Sequence, residues 1–140
     1  EGLKLTKGLN DKYPENPDFL LRHIEALIAN CQFLEAEIKK ETLKSYNGID
    51  YMVATLVFEG DIEYHKKDLA LAELKYKKAV AVEGEGRYLE DFKSMAYLNL
   101  GHISLSKNDF LNAKNYFKES LEIAEYNRVI NSAEKALEKL

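Results

Sequence analysis

Residues 97–120 read YLNLGHISLSKNDFLNAKNYFKES, and residues 56–79 read LVFEGDIEYHKKDLALAELKYKKA. Laid over one another at an offset of 41 residues, they match Gly60 with Gly101, Lys66 with Lys107, Asp68 with Asp109 and Ala72 with Ala113. The same register pairs Val57 with Leu98, Ile62 with Ile103, Leu69 with Phe110, Tyr76 with Phe117 and, just beyond, Val80 with Leu121. Small Ala79 falls on small Ser120. A fainter copy lies 36 residues upstream, with Leu20 on Leu56, Leu21 on Val57, Glu25 on Asp61, Phe33 on Leu69 and Ala36 on Ala72. Self-similarity at such a period marks stacked supersecondary units, each too small to bury its apolar face alone.

Each copy reads as two helices. Apolar residues recur at spacings of three and four through Phe19, Leu20, Ile24, Leu27 and Ile28, then through Leu34, Ile38 and Thr42. The pattern returns from Met52 to Tyr64, from Leu69 to Val82, from Phe92 to Leu105 and from Phe110 to Ile123. Asn16-Pro17 is a helix start, a capping side chain followed by a residue whose missing N–H costs nothing in the first turn. Asn108 and Asp109 sit where one helix ends and the next begins, and Gly84 and Gly86 bracket a turn. Residues 2–12 read as the second helix of a truncated unit ending at Tyr13-Pro14, and residues 127–139 as a terminal helix striped by Ile130, Ala133 and Leu137.

Composition agrees with an all-α chain. Of 140 residues, 46% are apolar and 31% charged, enough for both a core and a solvated surface, while two prolines and seven glycines are few for a loop-rich or all-β domain. The net charge of −4 speaks against a nucleic-acid-binding surface. A single cysteine, Cys31, excludes an internal disulfide and a four-cysteine zinc site. The longest largely apolar stretch, Tyr51 to Phe58, is far short of a membrane-spanning helix, and no signal peptide is visible. The chain opens on Glu1, which is compatible with processing or with a cut from a longer protein; the compartment stays open, with the cytoplasm as the expectation.

The repeat resembles the tetratricopeptide repeat family. Its signature of an aromatic and Leu-Gly on a first helix, then alanine, an aromatic and a small residue on a second, is met by Tyr97, Leu100-Gly101, Ala113, Phe117 and Ser120. Leu56, Gly60, Ala72, Tyr76 and Ala79 meet it again, and Tyr13-Pro14 resembles the end of a unit. The resemblance implies a right-handed α-α superhelix, a solenoid of stacked antiparallel helix pairs occupying residues 1–140. Residues 1–16 end a truncated unit, 17–52 form a degenerate first unit, 53–93 a second with an insertion, 94–126 a third and 127–140 a terminal helix. Gly60, Ala72, Tyr76, Gly101, Ala113 and Phe117 are the expected repeat-packing residues, small residues admitting a neighbouring backbone and rings filling the gap between units. The first unit departs, with Ile24 in the glycine place and Lys40 in the aromatic one; the second has Glu59 before its glycine and Glu63 where the family carries a second aromatic on the first helix, and the third has Ser104 at that position. About seven inserted residues around Gly84 to Asp91 should lengthen the flanking helices.

In this family the first helices line a concave groove. Carried over by position, the groove-facing residues are Leu21, Glu25 and Ile28, then Val57, Asp61, Tyr64 and His65, then Leu98, His102, Leu105 and Ser106. The lysine, asparagine and arginine that would clamp a peptide's terminal carboxylate are replaced by Leu21, Glu25, Val57, Asp61, Leu98 and His102, so chaperone C-terminal peptides are not the expected ligands. Acidic, aromatic and imidazole groups suit a basic or mixed amphipathic segment better.

Chemistry beyond binding finds little support. Asp61 and His65 are four apart on one helix face, with His102 placed beside them on the next first helix, a set that transition metals favour. The plainer alternative, a polar groove floor of hydrogen-bonded histidines, is the one adopted, with no metal and no cofactor expected. Cys31 lacks a base and an orienting third group and reads as a partly buried structural residue. Glu83, Glu85, Glu90 and Asp91 read as solvated carboxylates around a glycine turn, and Lys66, Lys67, Lys75, Lys77 and Lys78 as a solvated face. The expectation is a non-enzymatic interaction scaffold that binds a protein or peptide segment in the groove. The alternative is a regulatory or self-association module of a larger sensor or multidomain protein, pairing through the ends of the stack.

Overall fold

The structure, a computed structural model, describes residues 2–124 and 127–140; residue 1, and residues 125 and 126 at the expected close of the third unit, lie outside the described residues. The described residues form α-helices and no strands. In chain order these are α1 (Gly2–Lys12), α2 (Pro17–Ala29), α3 (Phe33–Leu43), α4 (Ile49–His65), α5 (Leu69–Val80), α6 (Leu89–Ser106), α7 (Phe110–Ile123) and α8 (Asn127–Glu138). Helices α2 and α3, α4 and α5, and α6 and α7 pack as pairs, and α1 lies on α2 and α8 on α7. The even helices α2, α4, α6 and α8 also pack in a row, each on the next, whereas the odd helices do not meet one another.

The local causes repeat with the sequence. Cys31, Lys67 and Asn108, spaced by the same 36 and 41 residues, all take a left-handed backbone with φ of 59°, 67° and 59°. After each, the next amide N–H reaches back to a carbonyl five residues earlier: Gln32 to Leu27 at 2.8 Å, Asp68 to Glu63 at 3.0 Å and Asp109 to Ser104 at 2.9 Å. This is the six-to-one closure that satisfies the last carbonyls of a helix and turns the chain. Asp68 and Asp109 then cap the following helices, their carboxylates accepting from the N–H groups of Leu71 and Asn112. Asn16 caps α2 by accepting from the amides of Asp18 and Phe19, with Pro17 in the first turn.

In two of the helix pairs, α4–α5 and α6–α7, a glycine faces a ring. A Cβ built on Gly60 would lie 2.6 Å from Tyr76 Cε1, and one on Gly101 2.5 Å from Phe117 Cε1, so in both units the ring lies directly on the backbone of the first helix. Ala72, Ala79, Ala113 and Ser120 are fully buried beside these rings, and the Ser120 hydroxyl donates to the Ser94 carbonyl at 2.8 Å. In the first unit Ile24 takes the glycine place and is itself fully buried. Lys40, in the ring's place, instead directs its ammonium to Glu59 of α4 at 3.4 Å. Lys44 at 2.9 Å and Lys75 at 3.4 Å complete a three-lysine surround of Glu59. Burial opposes ionisation there, yet the Lys44 hydrogen bond and the Lys40 and Lys75 charges hold the Glu59 carboxyl below its ordinary value.

The insertion lengthens only one of its flanking helices, α6. Helix α5 ends at Val80, while α6 begins at Leu89, earlier than the apolar pattern alone placed it. Between them the chain turns back onto α4, where Asp50 accepts from the amides of Arg87 at 3.0 Å and Tyr88 at 2.8 Å. The early start of α6 also changes the reading of Asp91. It lies in the first turn and is buried, with its Oδ1 unpartnered among the described residues, while Glu83, Glu85 and Glu90 are exposed. Cys31 is exposed and not a packing residue, because it occupies the left-handed tip of a turn. The lysines read as a solvated face are partly engaged: Lys66 pairs with Glu37 and Glu63, Lys75 with Glu59 and Lys77 with Glu73.

Candidate functional site

The row of even helices carries a set of adjoining clefts, and Asp61 lines three of them. The first, about 630 Å³, has a largely apolar floor of Ala26, Ile28, Phe58 and Met95, with Arg22, Glu25 and Arg128 around it. The second, about 440 Å³, is bounded by Ile28, Phe33, Tyr64, His65, Lys67, Tyr76 and Asn99. The third, about 270 Å³, lies between α6 and α8 and is lined by Met95, Leu98, Asn99, Arg128, Val129 and Ser132.

Asp61 projects from α4 one residue after the glycine that admits Tyr76. That spacing places its carboxylate over the end of the same ring, and the Tyr76 hydroxyl donates to Asp61 Oδ1. Asn99 of α6 donates to the same oxygen at 3.1 Å and to the Tyr76 hydroxyl at 3.2 Å. The three residues therefore tie α4, α5 and α6 together at the cleft floor. Burial pushes the Asp61 carboxyl up to about 7. The Tyr76 hydrogen bond and the Arg128 charge act against that rise, and the Glu25 charge adds to it. Burial, with the Asp61 charge beside it, raises the Tyr76 phenol far beyond its ordinary value.

The other position-matched residues divide into three groups. Leu21 and Val57, 0% and 1% exposed, are in the core and offer no groove surface, because α2 and α4 bury them against their partner helices. Leu98 and Leu105 pack with Leu137 of α8 around Ala113, Phe117 and Ala136. His102 is half-buried with its edge on the Phe117 ring at 5.1 Å, and burial, with the Lys139 charge, lowers its pKa. Helix α8 thus covers much of the face that the third unit was expected to leave open, and Ser106 ends α6 with its hydroxyl on the Ile103 carbonyl. Glu25, Ile28, Asp61, Tyr64 and His65 do line the clefts, and Leu98 also borders the third of them. Glu25 accepts from Arg22 at 2.7 Å, Tyr64 is 39% exposed, and the His65 ring stacks on Phe33 at 3.8 Å with 13° between planes.

Sequence reasoning placed His102 beside Asp61, and the structure puts Asn99 there. Neighbouring helices cross obliquely, so positions equivalent in the repeat are not level, and Asp61 meets a residue nearly one turn before its repeat counterpart. Met95, Arg22 and Arg128 were also not anticipated. One signal was available for the arginines: the chain has only Arg22, Arg87 and Arg128, and two of these line the 630 Å³ cleft. The Arg22 guanidinium lies 4.9 Å over the Tyr88 ring while bonding Glu25. Among the described residues no three His, Cys, Asp or Glu side chains are grouped as a metal ion requires; His65 faces Phe33 and His102 faces Phe117. No helix of the described residues is long and apolar enough to cross a membrane. Comparison with models of protein families, with curated proteins and with solved structures finds no match.

Proposed function

We propose that this chain is a non-enzymatic interaction scaffold of tetratricopeptide type, a right-handed stack of helix pairs that binds an extended peptide or protein segment along α2, α4 and α6. The observation that carries this reading is the continuity of the clefts across those three helices, with Asp61 common to all of them. The repeat-level geometry supports the stack: Gly60 under Tyr76, Gly101 under Phe117, and left-handed turns at Cys31, Lys67 and Asn108. A mostly helical wall braced by the Tyr76–Asp61–Asn99 hydrogen bonds is pre-organised, so an incoming segment meets a surface that loses little freedom on binding.

The test is selection from a random peptide library displayed on phage, run in parallel on the parent chain and on Met95→Glu. That substitution sets a charge in the floor of the 630 Å³ cleft at a half-buried site. Peptides retained by the parent and lost by a Met95→Glu variant with an intact thermal transition support the reading. Peptides retained equally by both, or none retained, contradict it.

One observation favours self-association as a second reading. Leu34 and Ile38, one turn apart on α3, are 78% and 63% exposed. Sedimentation of the parent against Leu34→Lys/Ile38→Lys reads it: a dimer dissolved by the substitutions supports it, and a monomer in both contradicts it.

A further inference from the structure

The geometry points to the 440 Å³ cleft bounded by Asp61, Tyr64, Phe33 and His65 as a seat for a cationic side chain, a lysine ammonium or an arginine guanidinium, of the segment bound on the α2–α4–α6 face. The inference rests on the reading of that face as the binding surface and supplies the ligand chemistry it recognises.

Four features of the cleft favour a cation. Among the described residues, both hydrogen bonds to Asp61 end on Oδ1, which fixes the carboxylate and leaves its second oxygen for an incoming donor. The walls are aromatic: Phe33 with His65 stacked on it, the half-open Tyr64 ring, and the hydroxyl end of Tyr76. Ring faces attract ammonium and guanidinium groups, and the apolar Ile28 beside them accommodates the methylene stem. Asp61 has also lost part of its hydration in the folded chain, so a cation arriving there recovers an interaction that water no longer supplies.

The charges around Asp61 are mixed, and they set the terms of the competition. On α2, Glu25 adds negative potential and is itself bonded by Arg22. On α8, Arg128 lines the neighbouring clefts but not this one, so it acts on Asp61 from outside the seat. On α4, His65 forms part of the wall, and Lys67 stands exposed at the rim on the left-handed turn. The groups from α5 and α6, Tyr76 and Asn99, are neutral hydrogen-bond donors to the carboxylate. Acidification protonates Asp61, which removes the charge that holds a cation. Binding should therefore tighten as pH rises from 5.5 to 8.

The probes are N-acetyl-arginine amide and its neutral isostere N-acetyl-citrulline amide, titrated into the isotopically labelled full chain by NMR at both pH values. The arginine probe should give saturable shifts at the amides of Asp61, Tyr64 and His65 and at the Asn99 side chain, and bind about fivefold or more tightly than citrulline at pH 8. That preference should fall toward one at pH 5.5, and in Asp61→Asn at either pH; the variant keeps the acceptor for Tyr76 and Asn99. Lys67→Ser, which removes the rim charge, should strengthen arginine binding. Equal binding of the two probes, absence of saturable shifts, or a preference untouched by Asp61→Asn overturns the seat. The phage selection separates this failure from the failure of the wider reading. Library peptides that lose binding in Met95→Glu while the two probes bind alike refute the cation seat and leave the binding face standing. Absence of any retained peptide refutes the face, and the seat as its recognition element falls with it.

Discussion

Gly101→Ala is the substitution in which two ordinary rules give opposite answers. By helix propensity alone it should help, because alanine is about 1 kcal/mol better than glycine inside a helix, and Gly101 lies well within α6. The packing predicts the reverse. The new Cβ would stand 2.5, 2.7 and 2.8 Å from three atoms of the Phe117 ring. Non-bonded carbons settle about 3.5–4.0 Å apart, so the ring must retreat by about 1 Å. Phe117 is fully buried with the His102 ring against it, so its retreat displaces packed neighbours. Overpacking of this kind costs about 1–3 kcal/mol, and with the propensity gain subtracted the expected net loss is about 1 kcal/mol, within a range of about 0–2 kcal/mol. The Phe117→Leu background isolates the cause. That change costs its own cavity term, but with the ring gone Gly101→Ala should become neutral or stabilising by up to about 1 kcal/mol. The coupling between the two sites is then about 2 kcal/mol, read as a double-mutant cycle from urea unfolding followed by circular dichroism. A Gly101→Ala penalty of the same size in both backgrounds, or a stabilised single mutant, would refute the idea that glycine under the ring sets the helix pairing.

Other consequences follow from the same geometry. Asp61 titrates near 7 when folded against 3.8 when unfolded, so its contribution to stability is complete below about pH 4 and is lost as pH rises through 7. Asp61→Asn should therefore match the parent near pH 4 in thermal unfolding and exceed it at pH 8 by about 2 kcal/mol, the shift being discounted for a half-buried group; a variant less stable at pH 8 contradicts this. Glu59, held below its ordinary value by its lysines, contributes in the opposite sense, with stability present at neutral pH and lost in acid. Glu59→Gln should cost about 1–2 kcal/mol at pH 7 by leaving the buried Lys40 ammonium with only the exposed Glu41 carboxylate, and little at pH 3, as urea midpoints at the two pH values will show. Lys67→Gly should stabilise by about 0.5–1 kcal/mol, because φ of 67° burdens a side-chain-bearing residue and not glycine; an unchanged or lowered melting temperature counts against the strain.

The fold was legible where one residue type has one structural use. Asn16-Pro17 and Asn108-Asp109 signalled helix boundaries, and the Gly60/Tyr76 and Gly101/Phe117 pairs stood in a common register. The apolar period gave the helices but not their starts. The N-terminal turns of α4 and α6 are anchored by contacts that carry no period, such as Asp50 accepting from Arg87 and Tyr88 across the insertion. The left-handed residue at Cys31 was hidden because a free cysteine reads as a packing residue, although its spacing from Lys67 and Asn108 matched the repeat. The site was legible in part. Asp61, Tyr64 and His65 were expected at the groove and line its clefts, while Val57 and Leu21 were lost to the core. Position matching assigns a residue to a helix face but not to its neighbours across the crossing, and so Asn99 was missed. Nor did it register how closely α8 would cover Leu98, His102 and Leu105, since that depends on how the last helix docks.

The most direct test of the binding face is backbone amide mapping by NMR of a library-selected peptide on the full chain. Shifts should concentrate at Ile28, Asp61, Tyr64, His65, Met95 and Asn99, which line the clefts. Shifts concentrated instead at exposed apolar residues of the odd helices, such as Leu34 and Ile38 of α3 or Phe110 and Leu111 of α7, would contradict the binding face.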